Sequence, residues 1–123
     1  AGTGKLCPKG WHVPTKDEWI ALGTTLGGDV NAGGLLKEAG LEHWKSPNTD
    51  ATNESGFTAL PGGVRMTNGA FNFIGENTYW WSSTESGTHA YGSYVTYDSA
   101  ALNSGTLNPK EGGLSVRCIK DSK

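Results

Sequence analysis

The sequence predicts an α+β domain, helices first and antiparallel strands after them, and three observations predict it. Thr15 and Glu18 stand three apart just ahead of Trp19, Leu22 and Leu26, a capping-box pattern followed by apolar residues at helical spacing. Tyr91, Val95 and Tyr97 alternate with Tyr94 and Thr96, the period-2 pattern of a strand. Nineteen glycines in 123 residues, with 35% hydrophobic residues, favour short strands and frequent turns over long helices.

The elements follow in order. Pro14 and the Thr15–Glu18 box start a helix over residues 16–26, which Gly27 and Gly28 end. A shorter helical signal covers 32–39 and stops at Gly40. Phe57–Leu60 predicts a short strand running into the Pro61-Gly62-Gly63 turn, and Phe71–Gly75 another extended piece. Strands are then expected over 79–84, 90–97 and 114–119. With 13.0 kDa and no break in composition, residues 1–123 are expected to form one domain, whose five Trp supply much of the core.

A formal charge of −2, a pI near 5.9 and the lack of any Lys/Arg run remove the electrostatic basis for binding nucleic acid or an anionic membrane. No apolar stretch approaches the ~20 residues that span a bilayer, so membrane insertion is not expected. Ala1-Gly2-Thr3-Gly4-Lys5 has no signal-peptide core, so a secreted form would already have lost its signal.

The two cysteines, Cys7 and Cys118, permit one bridge or two buried thiols, and neither belongs to a Cys-x-x-Cys pair. A Cys7–Cys118 bond would close nearly the whole domain, which the chain-entropy model values at roughly 4–5 kcal/mol. It would also place the protein in an oxidising compartment.

Five motifs carry a resemblance: Cys7-Pro8-Lys9-Gly10-Trp11-His12-Val13-Pro14-Thr15-Lys16-Asp17-Glu18-Trp19, then Asn53 through Gly63, Trp81-Ser82-Ser83-Thr84-Glu85, Tyr97-Asp98-Ser99 and Ser115-Val116-Arg117-Cys118. In this order they resemble the Fibrobacter succinogenes major paralogous domain, over residues 7–121. That family is in turn similar to the formylglycine-generating-enzyme branch of the C-type lectin-like fold, whose helix start is echoed by His12–Trp19 and whose last strand is echoed by Leu114–Arg117. The resemblance implies that both chain ends meet in a small antiparallel sheet, pinned by Cys7 and Cys118. It also implies that Trp11 and Trp19 pack the first helix onto the sheet.

The enzyme branch's activity does not follow. Its copper site needs a pair of nearby cysteines, and here both are allotted to the clasp. Relatives that bind iron need a histidine cluster, whereas His12, His43 and His89 are isolated. Ser82 and Ser83 lack a nucleophile-elbow turn, and Glu76 and Glu85 are a pair any chain with 12 acidic residues offers. No catalytic residue and no cofactor are therefore expected. Asp50, Asn53 and Glu54 concentrate oxygen donors in one loop, which is what Ca²⁺ wants. The loop lacks EF-hand spacing, however, and Asn/Asp-rich turns commonly hydrogen-bond their own backbone, so a turn is expected ahead of a calcium site. The Glu-Pro-Asn or Gln-Pro-Asp loop of sugar-binding C-type lectins is missing.

The stretch from Trp80 to Pro109 is the candidate recognition surface, rich in Tyr, Asn, Ser, Thr and Gly as paratopes are. C-type lectin-like folds with variable ligand surfaces also place them late in the chain. Tyr94, with Asn103 and Asn108 as hydrogen-bonding neighbours and Trp80 as a stacking platform, is expected to hold a ligand. The expected function is a secreted or cell-surface binding module for a glycan or a surface protein. The alternative is a structural module of a larger surface or fibre assembly.

Overall fold

The computed structural model describes residues 6–121, and Ala1–Lys5 lie outside them. After β1 (Trp11–His12) comes α1 (Lys16–Thr25), started as expected. The Glu18 backbone N–H donates to Thr15 Oγ1 at 3.1 Å, and the Thr15 N–H donates to the Glu18 carboxylate at 2.9 Å. Two orphan donors of the first turn are thereby satisfied.

Helix α2 spans Asp29–Leu36 rather than 32–39. Its end is set by tertiary bonds that no local pattern encodes. Lys37 turns to extended backbone, φ −70° and ψ 142°, and the next N–H, of Glu38, donates to the Ala59 carbonyl. The Lys37 side chain, fully buried, donates from Nζ to the carbonyls of Thr49, Thr96 and Ser99 at 3.0, 2.9 and 2.9 Å.

Two short strands follow, β2 (Val64–Arg65) and β3 (Phe71–Asn72), paired antiparallel. Then come β4 (Asn77–Ser86), β5 (His89–Thr96) and β6 (Asn103–Pro109), an antiparallel sheet in the order β4–β5–β6. Last is β7 (Ile119–Lys120), which pairs antiparallel with β1, so the two ends of the described chain meet in one small sheet. The Cys7–Cys118 disulfide fastens that junction, with Cα atoms 6.0 Å apart across 111 residues of sequence. His12 adds to it: Nδ1 lies 2.6 Å from Asp121 Oδ1 and Nε2 3.0 Å from the Glu18 carboxylate.

Several expected strands shrink. Residues 57–60 contribute only the Lys37–Ala59 bridge, because Thr58 adopts φ 56°. Phe73, at φ 66°, cuts the 71–75 piece to two residues. Of 114–119, Ser115 makes an isolated bridge to Trp80 and only Ile119 joins a strand. Conversely, β6 was not expected, since Asn-Ser-Gly-Thr-Leu-Asn-Pro has the composition of a loop.

The core lies between the helices and one face of the three-stranded sheet. Trp19 stacks on Trp80 with ring centroids 5.0 Å apart, and Phe57 meets Trp80 edge-on at 5.5 Å. Leu36, Trp44, Val95 and Leu102 complete it, with the Trp44 indole N–H donating to the Ala59 carbonyl at 3.0 Å. Trp11 does not take the packing role expected of it: at 45% exposure it stands at the surface beside the clasp.

Candidate functional site

Strand β4 alternates strictly over its first half: Thr78, Trp80 and Ser82 are buried, and Asn77, Tyr79 and Trp81 are partly exposed. Adjacent residues of a strand point to opposite faces, so the core claims the first set and the outer face receives the second. Tyr79 pairs with Tyr94, and Tyr94 with Asn103, which makes one row across all three strands. The Tyr79 and Tyr94 rings stack, with centroids 5.1 Å apart and planes 27° from parallel. Asn103 Nδ2 lies 3.5 Å from the Tyr94 carbonyl.

The segment Gly112–Leu114 and the β2–β3 hairpin cover part of this outer face. Arg65 exchanges two backbone hydrogen bonds with Gly113, at 2.8 and 2.9 Å, which fixes the hairpin beside that segment. Gly92 leaves room for Leu114 of that cover: a Cβ there would stand 3.3 Å from Leu114 Cδ2, as well as 2.7 Å from the Trp80 carbonyl oxygen and 2.8 Å from Asn108 Nδ2. Between cover and sheet remains a groove of about 270 Å³, with Phe73, Tyr79, Met66 and Leu114 on its walls and Arg65 and Asn108 as polar groups. Phe73 and Met66 are 42% and 40% exposed, large apolar side chains left open to solvent along the groove.

The expected site residues thus divide. Tyr94, Asn103 and Asn108 belong to the outer side of the sheet, with Asn108 in the groove itself. Trp80 must be removed from the set: it is 4% exposed and stacks on Trp19 in the core, so it offers no platform to a ligand. Tyr79, Phe73 and Arg65 were not anticipated. In Tyr79-Trp80-Trp81, alternation shows that neighbours part company, but only the packing of α1 decides which of them turns inward.

A larger hollow of about 400 Å³ lies beside α1, between Leu22, Phe57, Arg117 and Ile119. Its polar groups are already engaged. Arg117 sits 3.9 Å over the Phe57 ring and donates to the Phe57 carbonyl, and Glu18 is held by Thr15 and His12. The sheet groove, where Arg65 has no carboxylate partner among the described residues and Asn108 makes only a 3.4 Å bond to the Thr106 carbonyl, is the better candidate.

The oxygen-rich loop hydrogen-bonds itself. Asn53 accepts from the Thr58 N–H at 2.7 Å and donates to Thr58 Oγ1 at 2.9 Å, while Asp50 and Glu54 are exposed. Among the described residues no three His, Cys, Asp or Glu side chains are grouped to hold a metal ion. The residues weighed for catalysis have other partners: Ser82 donates to the Tyr91 carbonyl at 2.7 Å, Glu76 faces Lys45 and Glu85 pairs with Lys110.

An α+β domain with a disulfide-fastened junction of its ends and a groove on the outer side of its sheet is therefore the class to be identified. Residues 1–120 match the family described as Fibrobacter succinogenes major domain, and the chain belongs to that family. Neither a curated protein nor a solved structure matches it.

Proposed function

We propose that this domain is a non-catalytic binding module, secreted or displayed on a bacterial surface, that recognises a glycan or a protein partner through the groove over β4–β5–β6. One observation carries the reading: stacked Tyr79 and Tyr94 beside a concave groove whose walls are largely apolar and whose one charged group, Arg65, has no carboxylate partner among the described residues. Aromatic faces remove apolar area from water when a sugar ring or side chain lies on them, and the polar groups fix orientation. The disulfide supports residence in an oxidising compartment, and no helix among the described residues is long and apolar enough to cross a membrane. The joined chain ends, the first-helix start and the order of elements also support a C-type lectin-like fold.

A second reading is favoured by the hairpin. Phe71 and Ile74 are each 69% exposed, more than a ligand groove requires, and an apolar surface of that kind suits contact with another subunit of a surface or fibre assembly. A screen of the purified domain on glycan and surface-protein arrays decides. On the first reading a ligand is found and Tyr79→Ala and Tyr94→Ala weaken it by about 1–3 kcal/mol. Variants that fold and bind like the parent, or an absence of ligand together with self-association lost in Phe71→Ser, move the second reading ahead.

A further inference from the structure

Arg65 is the one charged residue on the groove, and among the described residues it has no carboxylate partner within ion-pair distance. It is also firmly based. Its backbone pairs with Phe71 on one side and exchanges two hydrogen bonds with Gly113 on the other. The start of its side chain lies against Gly113, where an added Cβ would come 3.0 Å from Arg65 Cβ and 3.6 Å from Cδ. A guanidinium carried on so fixed a stem loses less freedom on binding than one on a free surface side chain.

From this we infer that the groove selects a saccharide bearing a carboxylate, that is, a uronic-acid unit, with the sugar ring on the Tyr79 and Phe73 walls and the acid on Arg65. This inference rests on the glycan reading of the groove. The planar fork of Arg matches a carboxylate with two parallel hydrogen bonds, a fit that a neutral hydroxyl cannot reproduce. Asn108, in the same groove, both donates and accepts, which suits ring hydroxyls. The chain's overall charge of −2 does not draw anions in general, so the preference is local to Arg65 and requires the aromatic walls as well.

The test uses galacturonate, glucuronate and mannuronate oligosaccharides, each as the free acid and as its methyl ester, beside neutral oligosaccharides of glucose, xylose and mannose. Binding is measured by calorimetry at low and high salt. At least one acid should bind, its ester about tenfold or more weaker, and salt should weaken the acid but leave the ester unchanged. Arg65→Gln should bring acid down to the level of ester, and Arg65→Lys, which keeps charge without the fork, should recover only part. Acid and ester binding alike, or Arg65→Gln without effect in a variant whose circular dichroism matches the parent, overturns the inference and leaves the glycan reading standing. Neutral oligosaccharides bound in preference to every acid does the same. Binding of no saccharide overturns both.

Discussion

Trp19 and Trp80 stack across the boundary between α1 and β4, their ring centroids 5.0 Å apart and their planes 22° from parallel. Phe57 closes on Trp80 from the edge, so three aromatic rings share one contact at the centre of the core. Truncating Trp80 to Ala should cost about 3–5 kcal/mol in denaturant unfolding, the range for a large aromatic removed from a packed interior. Trp80→Phe, which keeps a ring there, should fold and bind any array ligand like the parent. A loss of affinity in folded Trp80→Phe would return Trp80 to the binding site.

Lys37 ties four segments at one atom. Its ammonium donates to Thr49, Thr96 and Ser99 while its own backbone ends α2, so one side chain holds the 49 loop and the end of β5 against the helix. Lys37→Met should destabilise by about 2–4 kcal/mol, since three part-buried carbonyls lose their charged donor. Burial also lowers the ammonium's pKa from 10.5 to about 8, against the opposing pull of Asp50 and Asp98. Between these values the unfolded chain binds more protons than the folded one, so this group makes stability rise with pH across that window. The rise should be present in the parent and missing from Lys37→Met when unfolding free energies are compared from pH 7 to 10.5; parallel profiles would show that Lys37 does not titrate there.

Cys7 and Cys118 are the closure of a loop 111 residues long, and the β1–β7 pairing is only two residues wide. Unfolded, unreduced protein should contain no titratable thiol. Replacing both cysteines by Ser should remove roughly 4–5 kcal/mol by the chain-entropy model, and two free thiols in the parent would refute the clasp.

What could be read from the residues beforehand followed from local chemistry. The Thr15–Glu18 box needs only neighbours three residues apart to be right, and the alternation around Tyr94 needs only the pleat, so α1 and the outward turn of Tyr94 were both legible. The end of α2 was not, because Lys37 leaves the helix for carbonyls up to 62 residues distant. Strand β6 escaped notice for a related reason: its Asn, Ser and Gly are extended by pairing with β5, a tertiary bond that overrides weak propensity. The groove was half legible. Tyr94, Asn103 and Asn108 come from consecutive strands, but Arg65 and Phe73 reach it from a hairpin whose docking depends on Gly113, and no pattern within either segment announces that meeting.

The last expectation concerns His12, which bridges Glu18 at the start of α1 and Asp121 near the end of the described chain. Hydrogen bonds to Asp121 first and Glu18 second raise its pKa above 6.5, since both favour the imidazolium. Its contribution to stability is therefore fully present below 6.5 and is lost as pH rises through the folded value. Glu18 works in the opposite sense. Burial alone would raise its carboxyl, but the Thr15 N–H and His12 outweigh it and hold the pKa below 4.5, so that contribution is present above 4.5 and lost as pH falls through the lower folded value. The junction of the chain ends should accordingly be tightest between about pH 4.5 and 6.5. Both partners are more than a third exposed, so the effect should be modest and screened by salt. Melting temperatures of the parent should decline from pH 6 to 8 more steeply than those of His12→Gln, and the His12 ring protons should titrate above 6.5 in NMR. A ring that titrates at or below 6.5, or a variant whose profile overlays the parent's, would show that the ends are held by the disulfide and backbone pairing alone.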